Sequence, residues 1–144
     1  MSTLVPFATT IEVRDTCLCL HAQRAARALA RKFDAALRPI GLTNGQFSLL
    51  MSLNRPVPPS MAPVARLLAM DRTTLTAALK PLERRGFVEV QVDPADQRGR
   101  LLALTEAGRE VLARAVPIWR ATHHDVEAGL IDPNTLRRDL IALS

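Results

Sequence analysis

SMAPVARLLAMDRTTLTAALKPLERRGFVEVQVDPADQRGRLLALT, residues 60–105, reads as a short helix, a tight turn, a second helix and two short strands joined by a charged loop. The second helix starts at Asp71-Arg72-Thr73-Thr74, where Asp71 can cap exposed backbone N–H groups and the residues after it enter the helical period. Leu75, Leu79 and Leu82 recur at i, i+4 and i+7 and form a stripe to be buried. Thr73, Thr76, Ala77, Lys80 and Arg84 fall on another face, which is small, polar and basic. A DNA major groove accepts such a face: hydroxyls and cations reach base edges and phosphates, and the methyls of threonine and alanine can touch thymine. Taken alone, the helix is equally readable as an ordinary amphipathic helix with a solvated side.

The residues C-terminal to this helix favour the groove. Arg84-Arg85-Gly86 ends it with cations at the negative end of the helix dipole and a glycine suited to a left-handed cap. Phe87-Val88-Glu89-Val90-Gln91-Val92 then alternates apolar and polar, as a half-buried strand does. A second strand, roughly Arg100 to Leu104, is expected to return after the loop Asp93-Pro94-Ala95-Asp96-Gln97-Arg98-Gly99. Arg98 and Arg100 on a projecting hairpin suit the narrow, electronegative minor groove, with a solvated β-turn as the plainer alternative. Asp96, two residues before Arg98, is expected to orient that arginine through a paired hydrogen bond. Helix, turn, helix and hairpin together give a winged helix-turn-helix, so the fold class is mainly α with a small β-wing. The candidate DNA-contacting residues are Arg72, Thr73, Thr74, Thr76, Ala77, Lys80, Arg84, Asp96, Arg98 and Arg100.

The chain resembles the MarR family of bacterial transcriptional regulators. Four motifs carry the resemblance in order: Asp71-Arg72-Thr73-Thr74-Leu75-Thr76, Leu82-Glu83-Arg84-Arg85-Gly86, the wing Asp93-Pro94-Ala95-Asp96-Gln97-Arg98, and Leu104-Thr105-Glu106-Ala107-Gly108-Arg109. It extends over essentially the whole chain, residues 1–144, as one domain. The resemblance implies a homodimer on an inverted-repeat double-stranded DNA operator, with the second helix in the major groove and Arg98 in the minor groove. It also implies control by a small ligand or oxidant, with repression as the default. Two positions depart from the pattern. Ala69 stands where the turn often carries glycine, so a left-handed backbone there is mildly strained. Pro81 lies deep in the recognition helix, lacks a donor and crowds the carbonyl of Ala77, which predicts a kink or local widening near Ala77.

Composition is consistent with this reading. The net charge of +5 favours polyanionic partners. Residues 60–105 carry seven cations against five anions, whereas the tail from Glu106 onward carries five arginines against six acids. Positive charge is therefore concentrated in the DNA-reading part and the first helix. No apolar run reaches membrane-spanning length and no signal peptide is visible, so a cytoplasmic protein with no membrane partner is expected. Cys17 and Cys19 are then expected to be thiols.

Outside residues 42–105, segments 10–40 and 106–144 are read as dimerisation helices. The first, from about Val13 to Pro39, carries Leu18, Ala22, Ala25, Leu29, Phe33, Ala36 and Ile40 at spacings of three and four, a seam for another helix. A second helix opens at Leu42-Thr43-Asn44-Gly45-Gln46-Phe47, where Thr43 and Gln46 form a capping box and Leu42 can staple to Phe47. It ends near Leu53 and is followed by the stiff loop Arg55-Pro56-Val57-Pro58-Pro59. Thr105 opens a long helix with Gly108 in its first turn, and Asp132-Pro133 opens a last one bearing Leu136, Leu140 and Leu143. Terminal helices this apolar predict a dimer interface, intramolecular packing against the first helix being the alternative.

Two switches compete. In one, an apolar or aromatic small molecule fills a pocket walled by His21, Phe47, Met51, Trp119 and His123. In the other, Cys17 senses oxidants, with Arg14, His21 and Arg24 on its helical face favouring the thiolate. The family's peroxide-sensing branch relies on tyrosines beside its cysteine, and this chain has no tyrosine. Cys17 and Cys19, two apart on one helix, point to nearly opposite faces. His21, His123, His124 and the cysteines show no metal-ligand spacing, and no cofactor or catalytic site is expected, so the chain does not read as an enzyme. A winged module used for protein contacts is the remaining alternative. It has no need for Arg98 together with Arg72 and Lys80.

Overall fold

The computed structural model describes residues 4–144. Two helices open the chain, α1 (Phe7–Thr16) and α2 (Leu18–Leu37), followed by a 3-10 turn at Arg38–Ile40. The single helix expected from Val13 to Pro39 is therefore divided. Cys17 leaves the helical region with φ −68° and ψ 110°, ending α1 and capping α2, with its Sγ accepting the Leu20 N–H at 3.4 Å. Neither proline nor glycine marks this break.

Next come α3 (Asn44–Ser52), α4 (Met61–Leu68) and α5 (Arg72–Arg84). The capping box at α3 forms as its residue types require: Thr43 accepts the Gln46 N–H and Gln46 accepts the Thr43 N–H. A carboxylate joins the same end. Asp34 of α2 accepts the Asn44 backbone N–H at 2.7 Å and its Nδ2 at 2.8 Å, tying the long helix to α3. The turn between α4 and α5 places Ala69 at φ 52° and ψ 43°, the left-handed conformation expected there without glycine's freedom. Asp71 then caps α5, accepting the Thr74 N–H at 2.7 Å.

The helix α5 runs through Pro81 to Arg84 as continuous α-helix, so the widening expected near Ala77 does not occur. Pro81 sits in the last turn, and the Arg85 N–H returns to its carbonyl at 3.1 Å. Gly86 takes the left-handed cap at φ 76°.

The wing consists of β1 (Val88–Asp93) and β2 (Asp96–Leu104), antiparallel with Val88 opposite Leu104 and Val90 opposite Leu102. Pairing reaches Asp93 opposite Asp96, so the expected seven-residue loop is a two-residue turn, Pro94-Ala95, above a register shift. Ser60 bridges Leu101 at the root, and Pro59 accepts the Leu102 N–H at 2.8 Å. The helix α6 (Glu106–Ala128) follows, capped by Thr105, and α7 (Pro133–Leu143) ends the chain. Gly108 of α6 lies against the Phe87 carbonyl, where a Cβ would collide with the backbone.

Leu37, Leu49, Leu50, Val64, Leu75, Leu82, Leu102 and Val111 are fully buried and join α2 to α6 with the wing into one core. Each such leucine contributes about 2 to 5 kcal/mol relative to alanine. The terminal helices are different. α1 and α7 bury no residue, and Phe7 of α1 and Leu136, Leu140 and Ile141 of α7, with Leu18 at the start of α2, remain 40 to 75% exposed.

Candidate nucleic-acid interface

The leucines of α5 fix which residues face out. With Leu75, Leu79 and Leu82 buried, the opposite side presents Thr73, Ala77, Lys80 and Arg84, all exposed, with Arg72 and Thr76 on one flank and Thr74 on the other. Thr76 spends its hydroxyl proton on the Arg72 carbonyl at 2.9 Å, so only its oxygen lone pairs and methyl face outward. Arg72 occupies the first position of α5, where a cation opposes the helix dipole. That placement does nothing for the helix and suits contact with an anion. The Asp71 carboxyl is held below its usual range by the Thr74 backbone N–H and hydroxyl, which keeps the cap charged.

The wing tip is organised by its own side chains. Asp93 accepts the Ala95 N–H at 2.9 Å and Asp96 accepts the Arg98 N–H at 3.0 Å. Asp96 therefore holds the backbone of Arg98 and leaves its guanidinium free to project, contrary to the paired hydrogen bond expected from the sequence. Arg100 does not project as Arg98 does. Its Nη1 donates to the carbonyls of Gln97 and Gly99, both at 3.0 Å, clamping the irregular strand. Between α5 and the wing lies a groove of about 230 Å³ lined by Arg72, Thr76, Lys80, Glu83, Val90 and Arg100. The sequence places the cations of this groove among the DNA contacts but gives no sign that Glu83 joins them.

A second region lies where α3, α4 and α6 meet. Phe47, Ser48, Met51, Leu67, Leu68 and Trp119 line an open apolar cleft of about 460 Å³. A neighbouring cleft of about 270 Å³ shares Phe47, Ser48 and Trp119 and adds Phe33, Asn44 and His123. Phe47, Trp119 and His123 form a ladder of near-parallel rings, with centroids 6.2 and 4.7 Å apart. Four of the five expected wall residues thus come together. His21 does not. It sits on the exposed face of α2 with Arg24, Arg27 and Arg31, its Nδ1 2.7 Å from the Cys17 carbonyl. Leu67 is a wall residue that the sequence expectation lacks. Its signal is the Leu67-Leu68 pair on an eight-residue helix, since adjacent leucines cannot both face one core.

The cationic surroundings expected for Cys17 are also reduced. Arg14 belongs to α1, across the break, and pairs with Asp15 at 2.8 Å. Cys19 is exposed and accepts from the Gln23 side chain at 3.2 Å. Among the described residues no cluster of His, Cys, Asp and Glu is arranged to hold a metal ion, and no helix is long and apolar enough to cross a membrane.

Known proteins share this architecture. The sequence pattern of the MarR family matches residues 42–99. The transcriptional activatory protein BadR of Rhodopseudomonas palustris is 36% identical over 109 residues, covering 72% of this chain and 61% of BadR. Across three curated relatives the matched share of their own length runs from 50% to 67%. The crystal structure of the Mycobacterium tuberculosis regulator MosR in complex with DNA is 41% identical, with a TM-score of 0.83 over 89% of this chain and 93% of that one. CouR of Rhodococcus jostii bound to p-coumaroyl-CoA is 25% identical, with a TM-score of 0.73 over 90% of each chain.

Proposed function

From the premise that the chain belongs to the MarR family of DNA-binding transcriptional regulators, we propose that it works as a homodimeric repressor on a pseudo-palindromic operator and is released by a small apolar or aromatic ligand. The observation that carries the DNA half is the outward face of α5: Thr73, Ala77, Lys80 and Arg84 opposite three buried leucines, beside a wing that frees the Arg98 guanidinium. Two copies related by a two-fold axis read half-sites about 10 bp apart. The exposed apolar residues of α1, α2 and α7 supply a surface that a second copy covers.

The ligand half rests on the cleft at Phe47, Met51 and Trp119. Its walls come from α3 and α4, which belong to the DNA-reading lobe, and from α6, which leads to the terminal helices. A flat apolar molecule entering it extends the Phe47, Trp119 and His123 ladder and wedges the lobe against α6. A shift of a few Å there misaligns two recognition helices at once. CouR binds an aromatic acyl thioester, p-coumaroyl-CoA, which supports a ligand of related chemistry.

Trp119 is the one tryptophan of the chain, so its fluorescence reports on the cleft. Titration with small aromatic acids and their thioesters, read by this emission and by release of flanking intergenic DNA in a gel shift, tests both halves. Saturable quenching at the concentration that releases DNA is expected. Binding of DNA with no ligand response from any member of the set overturns the release mechanism and leaves the regulator. Failure to retain any DNA overturns the regulator's proposed mode of action.

A further inference from the structure

The groove between α5 and the wing has a role that the division into a major-groove helix and a minor-groove arginine does not cover. A duplex engaged by α5 in its major groove and by Arg98 in the adjoining minor groove has one sugar–phosphate strand between those grooves. The groove bounded by Arg72 and Lys80 on α5 and by Arg100 on β2 lies between those two elements, where such a strand would run. We propose that this groove seats one backbone phosphodiester, and that Arg72, Lys80 and Arg100 hold the phosphate and do not read bases. The proposal rests on the DNA-binding reading above and refines it.

Three features support the assignment. The groove, at about 230 Å³, has room for a phosphate and several ordered waters of about 30 Å³ each. Its walls carry three cations against one anion, Glu83, and all four side chains are exposed. The Arg100 guanidinium is already fixed by the Gln97 and Gly99 carbonyls through one nitrogen, so little side-chain freedom is lost when its remaining donors meet an oxyanion. Thr76 contributes shape without a donor, because its proton is committed to the Arg72 carbonyl. Base reading then falls to Thr73, Ala77 and Arg84 at the centre of the exposed face.

The test uses the full chain and two duplexes, flanking intergenic DNA and a scrambled sequence of the same length, across roughly 50 to 200 mM salt. Lys80→Gln and Arg100→Gln are each expected to weaken both duplexes by the same factor and to lower the slope of log K against log salt by about 0.9. Glu83→Gln is expected to tighten both. Because Arg100 also clamps the wing, its substitution is repeated with Arg98→Ala. A slope change that persists without Arg98 supports a direct phosphate contact, whereas one that vanishes shows that Arg100 acts only through Arg98 and overturns its place in the seat. Wild-type binding whose slope none of the substitutions alters overturns the proposal while leaving DNA binding intact. Wild-type protein that binds neither duplex at low salt refutes the underlying reading instead. Binding of inorganic phosphate in the groove, with unchanged DNA slopes, counts against the seat as well.

Discussion

Arg85, at the end of the recognition helix, donates a 2.7 Å hydrogen bond to the carbonyl of Gly41, 44 residues earlier at the end of the first long helical segment. Its guanidinium also lies 4.7 Å from the centre of the Phe87 ring. One side chain therefore ties the segment leading from α2 to the C-terminal end of α5 and to the root of the wing. Arg85→Ala is expected to cost about 1 kcal/mol, which lowers Tm by about 2 to 4 °C. Arg85→Lys is expected to recover part of this, since an ammonium keeps the charge but lacks the planar face. An unchanged midpoint in thermal melts of both variants refutes the tie.

Arg98→Ala is expected to weaken DNA binding and to reduce any preference for A·T-rich flanks, if its guanidinium enters a narrow minor groove as proposed. Thermal stability is expected to stay unchanged, since Asp96 holds the backbone N–H of this position and not its side chain. Affinities measured on duplexes with A·T-rich and G·C-rich flanks check the point. Equal loss on both assigns Arg98 to phosphate instead.

Ala69→Gly is expected to stabilise the protein by about 0.5 to 1 kcal/mol, because the turn holds a left-handed backbone that glycine adopts without strain. Urea melts of the two proteins measure it. Destabilisation by this change means that the loss of unfolded-state restriction outweighs the relief of strain.

Asp34 gives the fold an acid dependence. Its carboxyl is held below the ordinary range by the Asn44 backbone N–H, with the Asn44 side chain adding to it. A carboxylate whose folded pKa is depressed contributes stability that is fully present above its unfolded pKa and is lost as pH falls through the folded value. Asp71, Glu127 and Asp132 are shifted in the same direction, so the melting temperature is expected to hold steady through neutral pH and fall below the usual carboxylate range. Asp34→Asn removes one of these dependences, and its Tm against pH is expected to be flatter there. A profile parallel to that of the wild type shows that the tie to Asn44 does not depend on charge.

Much of this architecture is legible in the chain because local chemistry and packing agree. Asp71, Thr43 and Thr105 each start a helix where a capping residue precedes the apolar period, and Gly86 ends one where a left-handed residue is required. The break at Cys17 is not legible, since no helix breaker stands there and the extended backbone arises between two segments that each read as helical. Residue type alone groups His21 with the cleft. Twelve residues separate it from Phe33, about 18 Å along an α-helix, which places it beyond reach of the same cavity. Arg100 illustrates a third kind of miss. Its charge is plain in the sequence, but only the wing's register shift explains why that charge is turned onto Gln97 and Gly99.

The bare Cα of Gly108 against the Phe87 carbonyl gives the first turn of α6 a fulcrum with no cushioning side chain between helix and wing root. Trp119 stands eleven residues farther along the same helix, just past Pro117 and about 16 Å away. A tilt of only about 5° about that fulcrum swings the Trp119 end by about 1.4 Å over this arm. In the proposed release by a ligand, the absent methyl group of Gly108 would set this leverage, and restoring it with alanine would force the wing root and the helix apart.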